Sequence, residues 1–255
     1  MTKNLLSIAG FDPSGGAGIL LDVRLFERLG FRGCGVLTAV TAQNPARVTE
    51  AARLPASLVL RQYGAFGRSL RFEGIKVGMI GSLENVKAVA HIPEKNNGIP
   101  RVIDPVFKSS SGFRLLDERA VTLFLRVFKA KAELITPNLE EASTLSRRPV
   151  ETVEDMKEAG RVIYESSLIP CLVKGGHLKG KAADILYDGR DFTTFEHLRL
   201  NKSVHGTGCF LSSAILACLA GGSDLKTACR HGIRMTGRAI AEALPAGHGR
   251  SVFAL

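Results

Sequence analysis

Nothing in this 255-residue chain approaches the roughly 20 consecutive apolar residues that a membrane-spanning helix requires. Residues 1–4 lead straight into a short apolar run at 5–9, without the pattern of a secretory leader, so the expected location is the cytoplasm. Cysteine is sparse and unpatterned: Cys34, Cys171, Cys209, Cys218 and Cys229 form an odd set with no C-x-x-C spacing, which argues against a disulfide framework and a structural zinc site. Clustered basic charge is missing too. The net charge is +10 and the pI about 9.6, yet adjacent basic residues never exceed the pair Arg147-Arg148. Charge this dispersed belongs to a solvated surface, so neither nucleic acid nor a membrane is an expected partner. His-Glu-x-x-His, G-x-S-x-G and Cys-rich patterns are also lacking, which weakens zinc-hydrolase and serine-hydrolase readings.

What is present is alternation. An apolar run at 5–9 stops at a glycine-rich turn, after which Ile19, Leu20, Val23, Phe26 and Leu29 recur at helical spacing. Strands are expected at 33–40, 74–80, 101–106, 133–136 and 171–175, and helices at 55–70, 82–91, 117–128, 138–145, 152–166, 209–220 and 223–244. Residues 183–187 and 192–195 flank Asp188-Gly189, a strong turn signal, and read as an antiparallel hairpin. With no repeat, low-complexity segment or linker, the expectation is one α/β domain over 1–255, doubly wound, with a mostly parallel sheet flanked by helices and an antiparallel edge. In such a sheet ligands sit at the carboxyl ends of the strands, so the loops 10–18, 78–82, 104–112, 136–141 and 174–177 are candidates to share one cleft.

Chemistry concentrates in a few stretches. Gly206-Thr207-Gly208-Cys209 joins a glycine turn to a helix start, whose free amides attract anions. The helix dipole there is expected to lower the Cys209 thiol pKa, leaving it a nucleophile with His205 nearby or a base beside a phosphoryl group. The alternative is an ordinary loop before a core helix. The turn at 10–18 does not fit G-x-G-x-x-G; Asp12 and Asp22 offer acceptors to an amine or hydroxyl, or Asp12 and Ser14 simply cap the turn. Asn138 and Glu141 form either a capping pair or oxygen ligands for hydrated magnesium, which Asp104 could join. Gly175 to Lys181 mimics a P-loop, but Ala182 stands where the metal-binding hydroxyl belongs and a hairpin follows instead of a helix. Lys174 remains a candidate phosphate-facing charge.

Taken in order, Ile8-Ala9-Gly10-Phe11-Asp12-Pro13-Ser14-Gly15-Gly16-Ala17-Gly18-Ile19, Thr41-Ala42-Gln43-Asn44, Lys76-Val77-Gly78-Met79, Asp104-Pro105-Val106, Ile135-Thr136-Pro137-Asn138-Leu139-Glu140-Glu141-Ala142, Val173-Lys174-Gly175-Gly176-His177 and His205-Gly206-Thr207-Gly208-Cys209 resemble the ribokinase-like superfamily. Within it they are most similar to the hydroxymethylpyrimidine and phosphomethylpyrimidine kinases of thiamine biosynthesis. The resemblance implies transfer from ATP, with Mg2+, to 4-amino-5-hydroxymethyl-2-methylpyrimidine and then to its monophosphate, by a homodimer. By position, Gly10, Asp22, Gln43, Met79 and Val106 would line the pyrimidine pocket. Asp104, Asn138 and Glu141 would organise magnesium and phosphates, with the metal held through water by Asn138 and Glu141, and Lys174 would face the nucleotide. Gly206, Thr207 and Gly208 would form the anion hole, and Cys209 would deprotonate or orient the acceptor hydroxyl. The sequence departs from the family pattern at Phe11, Ser110, Val204 and Arg250; Phe11 is expected to narrow the pocket, and Ser110 replaces a lysine. A pyridoxal kinase of the same superfamily is the alternative activity, and a non-catalytic pyrimidine- or phosphate-binding regulator the alternative class. A redox sensor is disfavoured because Cys218 falls on a different helix face from Cys209.

Overall fold

The computed structural model describes residues 3–67, 69–92, 98–176, 178, 182–200, 202–247 and 249–255. His177, Lys179, Gly180 and Lys181 of the P-loop mimic lie outside the described residues. Its first strand, β1 (Asn4–Phe11), lies inside the sheet and is mostly apolar and buried along nearly its whole length, as a strand covered on both faces must be. Leu6 and Ile8 enter one core and Leu5 another, following the two-residue alternation of a strand.

After β1 come α1 (Gly18–Arg28), β2 (Arg32–Gln43), β3 (Val48–Arg53), α2 (Ala56–Phe66), β4 (Phe72–Val77), α3 (Leu83–His91), β5 (Arg101–Ile103), α4 (Glu118–Val127) and β6 (Leu134–Ile135). Then follow α5 (Leu139–Ser146), α6 (Val153–Ser167), β7 (Cys171–Val173), β8 (Ala182–Tyr187), β9 (Phe192–His197), α7 (Thr207–Ala220), α8 (Leu225–Glu242), β10 (Leu244–Pro245) and β11 (Ser251–Val252). The nine-stranded sheet runs β3-β2-β1-β4-β5-β6-β7-β8-β9, and β10 pairs with β11. From β2 to β7 neighbouring strands are parallel; β3, β8 and β9 are antiparallel additions at the edges. One core packs α2, α3, α4 and α6 on one face, and a second packs α7 and α8 on the other. This is the doubly wound sheet expected, with the expected hairpin at one edge.

The differences have local causes. The strand at 33–40 continues to Gln43 because Asn44 turns the chain: its Oδ1 accepts from Ala46 N at 2.9 Å and Arg47 N at 3.0 Å, and β3 returns alongside. Only Val48 of β3 is buried, so the strand left no hydrophobic signature. The helix from Pro55 ends at Phe66, where Gly67 caps it with its N–H on the Tyr63 carbonyl and Ser69 and Leu70 turn back to bond the Phe66 carbonyl. The parallel strands reverse their winding between β1 and β4. Loops leaving these two strands therefore part to either side of a crevice, the place where such folds bind ligands.

Candidate active site

At that crevice, Gly10 closes β1 against the residue that leaves β4. A methyl group at Gly10 would lie 2.7 Å from Met79 Sδ. Met79 packs with Ala39 and Leu115, and Val106 and Phe113 lean on the same cluster, so Gly10, Met79 and Val106 share one apolar wall. Gln43 ends β2 nearby, with its side chain facing the Asp12 carboxylate. Phe11 is half-buried, its carbonyl accepting from Thr41 Oγ1 at 2.8 Å.

Asp22 sits elsewhere. Expected among the pocket-lining residues, it has no accessible surface. Its carboxylate accepts from Ser7 Oγ at 2.5 Å, from Ser213 Oγ at 2.8 Å and from Lys76 Nζ at 2.8 and 3.0 Å. Four hydrogen bonds from three donor groups leave no room for a ligand, so Asp22 supports the site from beneath. Lys76 was quoted in the sequence only as part of a matching stretch. It is fully buried, and although burial disfavours its charge, Asp22 and then Cys209 and Asp104 hold its pKa above the ordinary lysine value.

The phosphate-facing candidates converge one strand further on. Asp104, following β5, accepts from Lys174 Nζ at 2.9 Å and Thr136 Oγ1 at 3.4 Å. Burial works against its ionisation, but Lys174 and Lys76 outweigh it and keep the carboxyl below its usual range. Lys174 follows β7, where its backbone pairs with residues 137 and 138 after β6. At the start of α5, Asn138 Oδ1 accepts from Glu141 N at 2.9 Å while Glu141 Oε2 accepts from Asn138 N at 2.8 Å. The capping pair is thus present, and it places Glu141 beside Lys174. Burial, only partly offset by Lys174, pushes the Glu141 pKa up to about 7.

Over this pair lies the start of α7. Gly206 caps it with φ +80°, a conformation that favours glycine, and a methyl there would lie 2.0 Å from the Gly16 carbonyl oxygen. A methyl at Gly208 would lie 3.0 Å from Lys174 Nζ and 3.6 Å from Asp104 Oδ2. The first amides of α7 therefore stand over a lysine and a carboxylate with no side chain between them. Cys209 is placed here as expected, but its predicted acidity is not found. Burial outweighs the pull of Lys76 and pushes the thiol up to about 12, with Asp104 and Asp22 adding to the rise. Asp104 and the Gly18 backbone N–H lie beside the thiol.

Two further features escaped the sequence reading. His205 Nε2 lies 2.8 Å from Asp12 Oδ2, joining loops that no local pattern connects. Lys108, two residues before the departure at Ser110, forms an ion pair with Glu140 at the rim of the α5 start. Among the described residues no cluster of three or more His, Cys, Asp or Glu side chains is arranged to hold a metal by itself, and no helix is long and apolar enough to cross a membrane.

The chain is similar to several known proteins. The hydroxymethylpyrimidine/phosphomethylpyrimidine kinase of Aquifex aeolicus is 42% identical over 216 residues, covering 83% of this chain and 84% of that protein. The Bacillus subtilis pyridoxal kinase, solved with ADP, superposes with a TM-score of 0.90 at 28% identity, covering 99% of this chain and 97% of that one. The phosphomethylpyrimidine kinase of Clostridium difficile gives a TM-score of 0.78 at 33% identity, covering 94% and 99%. Backbone superposition and sequence identity thus rank the two activities in opposite orders. Overall backbone shape does not choose a ring substrate, whereas the side chains around the crevice do, so identity is the better guide. The family model of the phosphomethylpyrimidine kinases matches residues 12–253, from the Asp12 turn to just past β11, and the chain belongs to that family.

Proposed function

We propose that the chain transfers the terminal phosphoryl group of ATP to the hydroxymethyl group of 4-amino-5-hydroxymethyl-2-methylpyrimidine, and then to the monophosphate, in thiamine biosynthesis. The observation that carries this reading is the bare start of α7 standing over the Lys174–Asp104 pair. Phosphoryl transfer asks little covalent chemistry of a protein and much positioning and charge stabilisation. Gly206, Thr207 and Gly208 present amides to the transferring group, and Lys174 adds a positive charge held in place by Asp104. The apolar wall of Gly10, Met79 and Val106 suits a flat heteroaromatic ring, with Gln43 as the polar group that orients it. Cys209, whose thiol keeps its proton, orients the acceptor hydroxyl instead of removing its proton in the resting state.

Asn138, Glu141 and Asp104 are hard oxygen donors, two of them partly committed to the α5 cap. That set fits a magnesium ion held through its waters. When bound with ATP, the ion would neutralise phosphate charge there.

The test is a product assay with ATP and, in turn, the hydroxymethylpyrimidine, its monophosphate and pyridoxal. Successive mono- and diphosphorylated pyrimidine products are expected. Turnover of pyridoxal alone would replace this reading with the pyridoxal kinase that the Bacillus subtilis superposition favours. Light scattering on the same preparation tests the homodimer, expected at twice the chain mass of 27.4 kDa.

A further inference from the structure

Asp12 stands where three distant stretches meet. Its Oδ1 accepts from the Ser14 backbone N at 2.8 Å and from Ser14 Oγ at 2.7 Å, the bonds of an ordinary turn-capping aspartate. The second oxygen has no part in that turn. Oδ2 is directed to His205 Nε2 at 2.8 Å, across 193 residues of sequence, and the Gln43 side chain faces the same carboxylate from the end of β2. Asp12 is 2% exposed and His205 14%. Burial alone would raise the Asp12 pKa, but the bonds from His205, Ser14 and Gln43 outweigh it and hold the carboxyl below its usual range.

The imidazole that Asp12 holds is a spacer between two loops. A methyl at Gly16 would fall 2.6 Å from His205 Cδ2, so ring and backbone are already in contact. The next residue, Gly206, rests on the Gly16 carbonyl. On its other side the His205 backbone is tied by its N–H to the Ser251 carbonyl at 2.9 Å. Thus the ring, fixed by Asp12, sets where Gly206 lies against the 10–18 turn, and with it the first amides of α7. Through Gln43 the same carboxylate reaches the wall proposed to hold the acceptor ring.

We propose that Asp12 is a positioning residue that couples acceptor recognition at Gln43 to the phosphoryl-holding loop at Gly206, using His205 as the strut. The inference rests on the kinase reading above, and touches neither the magnesium-facing residues nor Cys209. Misplacing a reacting group by about 1 Å can cost roughly 100-fold in rate, so the coupling has a kinetic signature that a merely structural role lacks.

The test is initial-rate kinetics with ATP and the hydroxymethylpyrimidine. His205→Ala is expected to lower kcat by about 10- to 100-fold with the pyrimidine KM near wild type, as for loss of a contact that matters in the transition state. Gln43→Ala is expected to raise the pyrimidine KM with little change in kcat. Asp12→Ala should do both, with the ATP KM held to within about 2-fold, and adding His205→Ala to it should cost less than about 3-fold more, because the two act as a unit. Asp12→Asn, which can keep the Ser14 turn, guards against misfolding and should show the same split in milder form.

Losses that multiply in the double variant would overturn the proposal. So would Asp12 variants that melt earlier yet keep wild-type kcat and KM. If the wild-type protein phosphorylates pyridoxal and not the pyrimidine, the substrate reading fails by itself, and the same split is then read with pyridoxal.

Discussion

At Cys209 two influences oppose each other. The first turn of a helix favours a negative charge by about 0.3–1 kcal/mol at an exposed site. Burial, reinforced by the carboxylates of Asp104 and Asp22, disfavours it and prevails, even with Lys76 close by. The position of the residue was legible in Gly206-Thr207-Gly208-Cys209; its protonation was not, because the groups that set it come from α1, β4 and the end of β5. Cys209→Ala is expected to leave a folded protein whose kcat is lower by about 100-fold, the order that a lost acid–base or orienting group costs. Near-normal turnover with unchanged melting would remove Cys209 from the reaction. Asp22 teaches the same lesson in reverse. An aspartate in the first helix after a glycine turn reads as a ligand, and only its three buried donors show it as a support.

Elements with a strong local signature were read correctly, and those fixed by tertiary pairing were not. Asp188-Gly189 announced the β8–β9 hairpin: Asp188 Oδ1 accepts from Arg190 N and Asp191 N, both at 2.8 Å, and Gly189 takes φ +98°. The β2–β3 hairpin turns instead on an asparagine, and β3 is mostly exposed, so alternation had nothing to mark. The β8–β9 edge carries a charge pair of its own, His197 Nε2 to Asp184 Oδ2 at 3.4 Å, while Asp184 Oδ1 accepts from Gly175 N beside Lys174.

Asp184 raises the His197 pKa above its ordinary 6.5 despite burial. The folded state therefore binds the proton more tightly than the unfolded chain. The stability this contributes is complete below about pH 6.5 and is lost as pH rises through the folded value. Melting temperature should decline over that interval in the wild type, and His197→Gln should flatten the decline. An equal slope in the variant would show that some other group titrates.

Over the whole molecule, the Lys76–Asp22 pair is the point where both halves of the sheet and two helices are joined. It binds β4 to α1, with Ser7 of β1 and Ser213 of α7 completing the cage, all at 0% exposure. Removing one member leaves a buried charge without its partner, so Lys76→Met is expected to destabilise by roughly 3–5 kcal/mol in denaturant unfolding. Adding Asp22→Asn should restore much of it. A Lys76→Met protein as stable as the wild type would mean that water reaches Asp22. No local pattern foretold this pair, because its residues are 54 apart in sequence. The alternation of strands and helices, by contrast, was enough to foretell the layers, the mostly parallel sheet and the end of it at which the loops meet.

The contact of Gly206 on Gly16 also has a meaning during synthesis. Gly10, Gln43, Met79, Val106 and Asp104 are all made by residue 106, whereas His205 and Cys209 follow about 100 residues later. At about 5–20 residues per second, a growing chain spends several seconds with the proposed acceptor wall already translated and nothing to set over it. Even if that portion binds the ring, it has no loop with which to donate to it. On the proposed reading, phosphoryl transfer therefore awaits translation of Gly206 to Cys209, and a message cut short before the codon for His205 would yield at most a binder of the ring.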